Sequence, residues 1–238
     1  MRSIIAVSCL SSVVVFSAAL NQVEASDWNF VVGAKLQGAE WSGENEASND
    51  TFDAKAGQLR LDLRLSKGRF YSGFSFQGGE YEFDGDAPDK VFKSSRLPSS
   101  DVTIERSEVD LAFGYYVWRY VSVFVALKSM KNEWEGEGYT LEQGGAGVGM
   151  AGYRPLSKKW IFYGSLGFVK LDLETDGTEI GTANGSALEL GAMYMYSQAV
   201  NFTLSLKAQR YEYDFDEGSN QAHDINGLVF GVNYAFGS

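Results

Sequence analysis

The stretch NGLVFGVNYAFGS (residues 226–238) closes the chain, and its large apolar residues Leu228, Phe230, Val232, Tyr234 and Phe236 fall at every second position. Val229, Gly231, Asn233 and Ala235 alternate with them. A period of two places the five large side chains on one face of a strand. The 238-residue chain carries a formal net charge of −11 and its mean hydropathy is negative. A stripe of this kind left in water invites aggregation, so an apolar medium or element must cover it.

The opposite end identifies the compartment. Arg2 is followed by an uncharged apolar run from Ile4 to Leu20 and then by Val23-Glu24-Ala25, the order of a secretory signal peptide. Residues 1–25 are therefore expected to be cleaved, leaving residues 26–238 as the mature domain. The single cysteine, Cys9, lies inside this leader, so no disulfide or thiolate metal site is expected in the mature chain. The acidity argues against nucleic acid as a partner. After Leu20 no apolar run approaches the roughly 18 residues of a spanning helix. If the mature chain crosses a membrane, it does so with strands.

Alternation recurs throughout. Phe30, Val32, Ala34 and Leu36 share one parity, as do Leu59, Leu61, Leu63 and Leu65. The pattern continues through Phe70 to Phe76, Val109 to Val117, Val121 to Leu127, Ala146 to Met150, Trp160 to Phe168, Leu188 to Tyr196 and Val200 to Ala208. With the closing stretch this makes about ten segments of about ten residues each. Short links around 66–68, 118–120, 154–159 and 197–199 alternate with longer polar links over 41–53, 79–103, 132–138, 174–185 and 214–224. All three prolines, Pro88, Pro98 and Pro155, fall in these links. The expected fold is all-β, a transmembrane antiparallel up-and-down barrel of about ten strands, with eight as the alternative.

The face opposite the apolar stripe separates a membrane barrel from a soluble one. It carries Arg60, Asp62, Arg64, Glu108, Asp110, Lys128, Glu189 and Lys207 among glycines and serines. Charges of both signs among small residues suit a narrow polar lumen, where they either pair and plug it or line a pore. The aromatic residues suggest two interfacial belts: Phe70, Tyr115, Trp118, Tyr120, Tyr153, Trp160, Tyr194, Tyr196, Tyr234 and Phe236 by the short turns, and Trp41, Tyr81, Phe83, Trp134, Tyr139, Tyr211 and Tyr213 by the long links.

Gly231, Tyr234 and Phe236 resemble the C-terminal pattern of bacterial outer-membrane barrels that the barrel-assembly machinery recognises, with Val229 in place of the usual polar residue and Gly237-Ser238 following the final aromatic. The glycine-rich stretch over 144–169 also resembles hairpins of the small outer-membrane β-barrel superfamily that includes porin-like, OmpA-like and opacity-type proteins. The resemblance implies the cell outer membrane, contact with its lipid and lipopolysaccharide, and passage through the assembly machinery. A monomer is expected, with short turns and termini in the periplasm.

Other motifs carry less. Gly147 to Gly152 fits GxGxxG, but it continues a strand into Arg154-Pro155 instead of opening a helix, so it reads as a lumen-facing glycine ladder. The only histidine, in His223-Asp224, and the acidic pair Asp84 and Asp86 suggest an omptin-like rim protease as a third reading. Asp84, Asp86 and Asp89 lack the spacing of a calcium loop. No catalytic, cofactor or metal site is expected. The chain reads as a non-enzymatic barrel with a structural or surface-interaction role, acidic extracellular loops and an unknown extracellular partner; a small-solute pore is the alternative.

Overall fold

The computed structural model describes residues 28–45, 50–84, 87–88, 102–136, 138–216 and 220–236; the leader, Asp86, Asp89 and Gly237-Ser238 lie outside them. Ten antiparallel strands form a closed barrel: β1 (Asn29–Asn45), β2 (Asp50–Lys67), β3 (Phe70–Phe83), β4 (Val102–Trp118), β5 (Val121–Trp134), β6 (Tyr139–Pro155), β7 (Trp160–Thr175), β8 (Thr178–Met195), β9 (Val200–Phe215) and β10 (Gln221–Phe236). Each strand pairs with its sequence neighbours, and β1 closes on β10 from Phe30 opposite Phe236 to Asn45 opposite Gln221. The start of β1 and the end of β10 therefore meet at the same rim as the short turns.

The closing stripe faces outward: Leu228, Phe230, Tyr234 and Phe236 are exposed, while Val229, Gly231 and Asn233 are buried inside. The same parity holds around the barrel. Leu36, Leu59, Leu61, Phe76, Val125, Leu127, Val148, Leu188 and Leu206 form a continuous exposed apolar band. An outward band of this kind has to meet lipid, so the barrel spans a membrane.

The strands are longer than the band. Strands of 14 to 18 residues rise about 3.3 Å per residue and tilt by roughly 40°, so the wall stands about 40 Å tall against an apolar band of about 25 Å. Above Leu36, Leu59, Phe76 and Leu206 the outward positions become Glu40, Lys55, Glu80 and Arg210, all exposed. This upper wall is a water-facing collar.

The collar corrects two expectations. Most of the long polar links are strand: the β7–β8 connection is only Asp176-Gly177, both at positive φ, and β1 runs to Asn45 before β2 begins at Asp50. The expected acidic loops are thus largely the outward faces of strands, and the widest interval between strand bounds runs from Phe83 to Val102. The upper aromatic belt is also not a belt. Trp41, Tyr81, Phe83, Trp134, Tyr139, Tyr211 and Tyr213 are all buried inside the barrel. Outside the bilayer the wall faces water, so the apolar parity turns inward as in a soluble barrel. The lower aromatics do ring the short-turn rim, with Phe70, Trp118, Trp160, Tyr196, Tyr234 and Phe236 exposed, whereas Tyr153 is partly buried against the core.

Short-turn chemistry is local. At the β6–β7 turn, Ser157 Oγ accepts from the backbone N–H of Lys159 and Trp160 at 3.2 and 3.1 Å. Ser197 does the same for Ala199 and Val200 at the β8–β9 turn. Hydroxyls that take the place of a backbone acceptor make such turns compact.

Candidate functional site: the barrel interior

Interior width is set by small residues lying opposite large ones. Tyr71 is paired with Gly114, Phe124 with Gly149, Tyr163 with Gly191 and Tyr211 with Gly185. A Cβ at any of these glycines would run into the ring facing it. The rings therefore lie across the wall and fill the lumen; of the expected glycine ladder at 147–152, Gly149 has this part, while Gly114, Gly185 and Gly191 lie outside that stretch.

All eight charged residues singled out for the lumen point into the barrel. Near the top of the apolar band, where Glu108 lies opposite Gln77, Lys128 Nζ donates to Glu108 at 2.6 Å and to Asp110 at 3.0 Å, and Arg106 Nε donates to the other Glu108 oxygen at 2.8 Å. Ser75 donates to Asp110 at 3.4 Å. Below this cluster, Lys35 and Arg60 share Asp62 at 2.9 and 2.7 Å. Glu189 accepts from Ser205 at 2.8 Å and Tyr163 at 3.5 Å. Lys207 donates to Gln77, which itself donates to Gln58. Arg64 donates to the Tyr116 hydroxyl at 3.0 Å and lies over the Tyr71 ring.

Charges removed from water are tolerated only when paired and hydrogen-bonded. Here each carboxylate meets a cation or a hydroxyl, so the network holds the walls together across the lumen. The cavity left at this level is about 40 Å³, lined by Lys35, Arg60, Asp62, Arg64, Asp110 and Asn233 among others. That volume accommodates a few water molecules.

Above the network sits the aromatic plug. Trp41 meets Tyr81 at 5.0 Å and Phe83 at 5.5 Å, both edge-on, and Phe52 meets His223 at 5.2 Å. Tyr213 packs on His223 at 4.4 Å. Edge-to-face contacts at these distances add to the burial of the rings. Arg106 joins the two layers: its guanidinium lies 5.2 Å from the Trp41 ring and 5.6 Å from that of Tyr211 while its Nε holds Glu108. Ala87, from the long β3–β4 connection, packs on this cluster.

Arg106 and Lys35 were absent from the residues singled out in the sequence. The parity of Glu108 and Asp110 was the available signal for Arg106, and that of Gly33 and Gln37 for Lys35. The structure does not bring His223 and Asp224 together, and Asp86 of the acidic pair lies outside the described residues. His223 is buried and bonded to Gln221 at 2.9 Å, whereas Asp224 points outward to Arg210 at 3.3 Å. Neighbours on a strand face opposite ways, so these two cannot act as an acid–base pair.

No protein-family model matches the chain, and no curated protein matches it. Among solved structures, it is similar to Neisserial surface protein A at 13% identity over 87% of this chain and 97% of that one, with a TM-score of 0.38. It is similar to the COG4313 outer membrane channel from Pseudomonas putida F1 at 12% identity, covering 87% and 95%, with a TM-score of 0.47. The translocator domain of the autotransporter NalP from Neisseria meningitidis gives 10% identity, 87% and 88% coverage and a TM-score of 0.45.

Proposed function

We propose that the chain is a non-conducting outer-membrane barrel whose work is done outside the lumen, through its collar and its long β3–β4 connection. What supports this reading is that side chains fill the interior at two levels, as the ion-pair network around Glu108 and as the aromatic cluster around Trp41.

The rest of the reading follows the outer-membrane placement. Residues 1–25 direct export, the short-turn rim faces the periplasm, and the lower band contacts outer-membrane lipid and lipopolysaccharide. Tyr234 and Phe236 stand outward at the closing seam, 4.6 Å apart, where the barrel-assembly machinery could reach them. Gly231 faces inward against Lys35 and Thr203, so its lack of a side chain serves packing. The barrel acts as a monomer and as no enzyme, and its extracellular partner meets an acidic collar.

Planar-bilayer recording tests the reading. The refolded, heat-modifiable barrel is expected to show no unitary steps. Stable steps whose amplitude or ion preference changed on charge reversal at Arg60 or Arg64 would establish a pore and end the closed-lumen reading.

A further inference from the structure

The charges that face into the barrel do not balance. The four inward carboxylates Asp62, Glu108, Asp110 and Glu189 share the lumen with the four cations named with them in the sequence and with Lys35 and Arg106. Among the described residues that is six cations against four carboxylates, an excess of two positive charges inside a chain whose net charge is −11.

Lys207 shows where part of the excess falls. It is 3% exposed and stands behind Leu206, inside the apolar band. Its ammonium reaches Gln77 Oε1 at 3.4 Å, and among the described residues no carboxylate lies within 4 Å of it. Glu189, directly opposite on β8, is turned to Ser205 and Tyr163. Glu108 and Asp110 act on Lys207 only through space, because both are held by Lys128 and Arg106 takes Glu108 as well; the positive charges of Arg60 and Lys128 oppose them.

A second group nearby lacks a partner. Gln37, also 3% exposed, has none at either Nε2 or Oε1 among the described residues. Gly227, the residue of β10 directly opposite Lys207, leaves the space in which the Gln37 amide lies, since a Cβ there would stand 2.8 Å from Gln37 Nε2. From Gln37 the polar layer runs to Gln58, opposite it on β2, which accepts from Gln77 at 2.7 Å, and Gln77 in turn accepts from Lys207. The two ends of this arc, the Lys207 ammonium and the Gln37 amide, both keep N–H groups with nothing to accept them.

We propose that one small monovalent anion, the size of chloride, is held between the Lys207 ammonium and the Gln37 amide. Both groups donate to it, the first with its full charge. Water alone would satisfy the amide, but it brings no charge, and an ammonium taken out of water needs one opposite it. The carboxylates of Glu108 and Asp110 on the same side of the lumen disfavour a divalent anion. The ion offsets one of the two excess charges and is a resident part of the wall. It goes beyond the closed-lumen reading and does not depend on it, since a conducting barrel would hold the same ion.

Crystals of the full barrel grown with sodium bromide in place of sodium chloride test the placement, because bromide scatters anomalously. One peak is expected within hydrogen-bonding reach of Lys207 Nζ and Gln37 Nε2. Urea unfolding in vesicles tests the same ion in solution, with chloride replaced by gluconate, which is too bulky for the site, at equal ionic strength. An ion that binds only the folded barrel stabilises it by mass action, so the wild-type midpoint should fall when chloride is withdrawn. Lys207→Met removes the charge at similar length, and its midpoint should be the same in both salts. Gln37→Leu, which keeps every charge, should shrink the wild-type shift. Heat modifiability on a gel reports that each variant still forms the barrel. Water or nothing at the site in the bromide crystals overturns the proposal. So does a chloride dependence undiminished in Lys207→Met, and a bromide peak without any chloride dependence would be binding at crystal concentration only and overturns it too. Unitary conductance steps would end the closed-lumen reading and leave this one standing.

Discussion

Within one set of ten strands, the membrane half and the collar follow the same period of two with opposite polarity. On β2, Leu61 faces out and Arg60 in; a few residues further up, Lys55 faces out and Ala54 and Phe52 in. On β3, Phe76 is outside with Gln77 inside, then Glu82 outside with Tyr81 and Phe83 inside. Period two makes a strand in either case. Which parity points inward is decided by the solvent outside the wall, and the switch occurs where the bilayer ends. The difference also divides the energetics: the lower interior is held by satisfied charges, and the upper by packed rings.

The largest expected effects break each half at its own chemistry. Glu108→Ala leaves Lys128 and Arg106 buried around a missing carboxylate, and removing one partner of a buried pair costs about 3–5 kcal/mol. Trp41→Ala empties the centre of the plug at a similar cost, about 3–5 kcal/mol for a large aromatic side chain. Equilibrium unfolding in lipid vesicles gives both magnitudes. Amide hydrogen exchange separates them: Trp41→Ala should speed exchange in the collar alone, while Glu108→Ala, because Arg106 ties the layers together, should speed it in both halves. If the two variants gave the same exchange map, the barrel would be one cooperative interior and the division would be wrong.

The outer face gives the next contrast. Leu61→Arg puts a charge in the apolar band and should cost about 2–4 kcal/mol near the bilayer midplane. Glu80→Arg, on the neighbouring strand but above the band, should change stability by less than about 0.5 kcal/mol. Comparable losses from both substitutions would mean that lipid covers the collar as well, and the boundary drawn between Phe76 and Glu80 would have to move up.

The fold was legible because alternation survives both solvents, and because the apolar parity of Leu59 to Leu65 or Leu228 to Phe236 is uninterrupted. Strand length was not. Segments such as Glu80-Tyr81-Glu82-Phe83 have a polar average, so they look like loop, although the alternation continues through them. The seven upper aromatics read equally as an interfacial belt or as a packed interior, because Trp and Tyr suit both, and only the inside-outside assignment separates the two. The lumen charges were found by parity, yet their pairing was not: Lys128 reaches Glu108 and Asp110 through a register between β4 and β5 that places Asp110 opposite Lys128. Register depends on where each turn closes, and the sequence reading had the turns only to within several residues. His223 and Asp224 are set apart because adjacency in sequence puts side chains on opposite faces of a strand.

The smallest effect concerns glycines, and it distinguishes those the backbone needs from those it does not. Gly177 closes the β7–β8 hairpin in the collar at φ 73°, next to Asp176 at φ 51°. Both residues of a tight two-residue turn there lie in the left-handed region, where an added Cβ costs roughly 1–2 kcal/mol. Gly57, on the waist of β2, has no positive φ and open space where its Cβ would stand. Gly177→Ala should therefore lower stability by about 1 kcal/mol, whereas Gly57→Ala should leave it unchanged or raise it by up to about 1 kcal/mol, because alanine gives up less backbone entropy on folding than glycine. Paired urea titrations of the two variants in the same vesicles measure the difference. A loss at Gly57 as large as that at Gly177 would show that the wall itself needs this glycine.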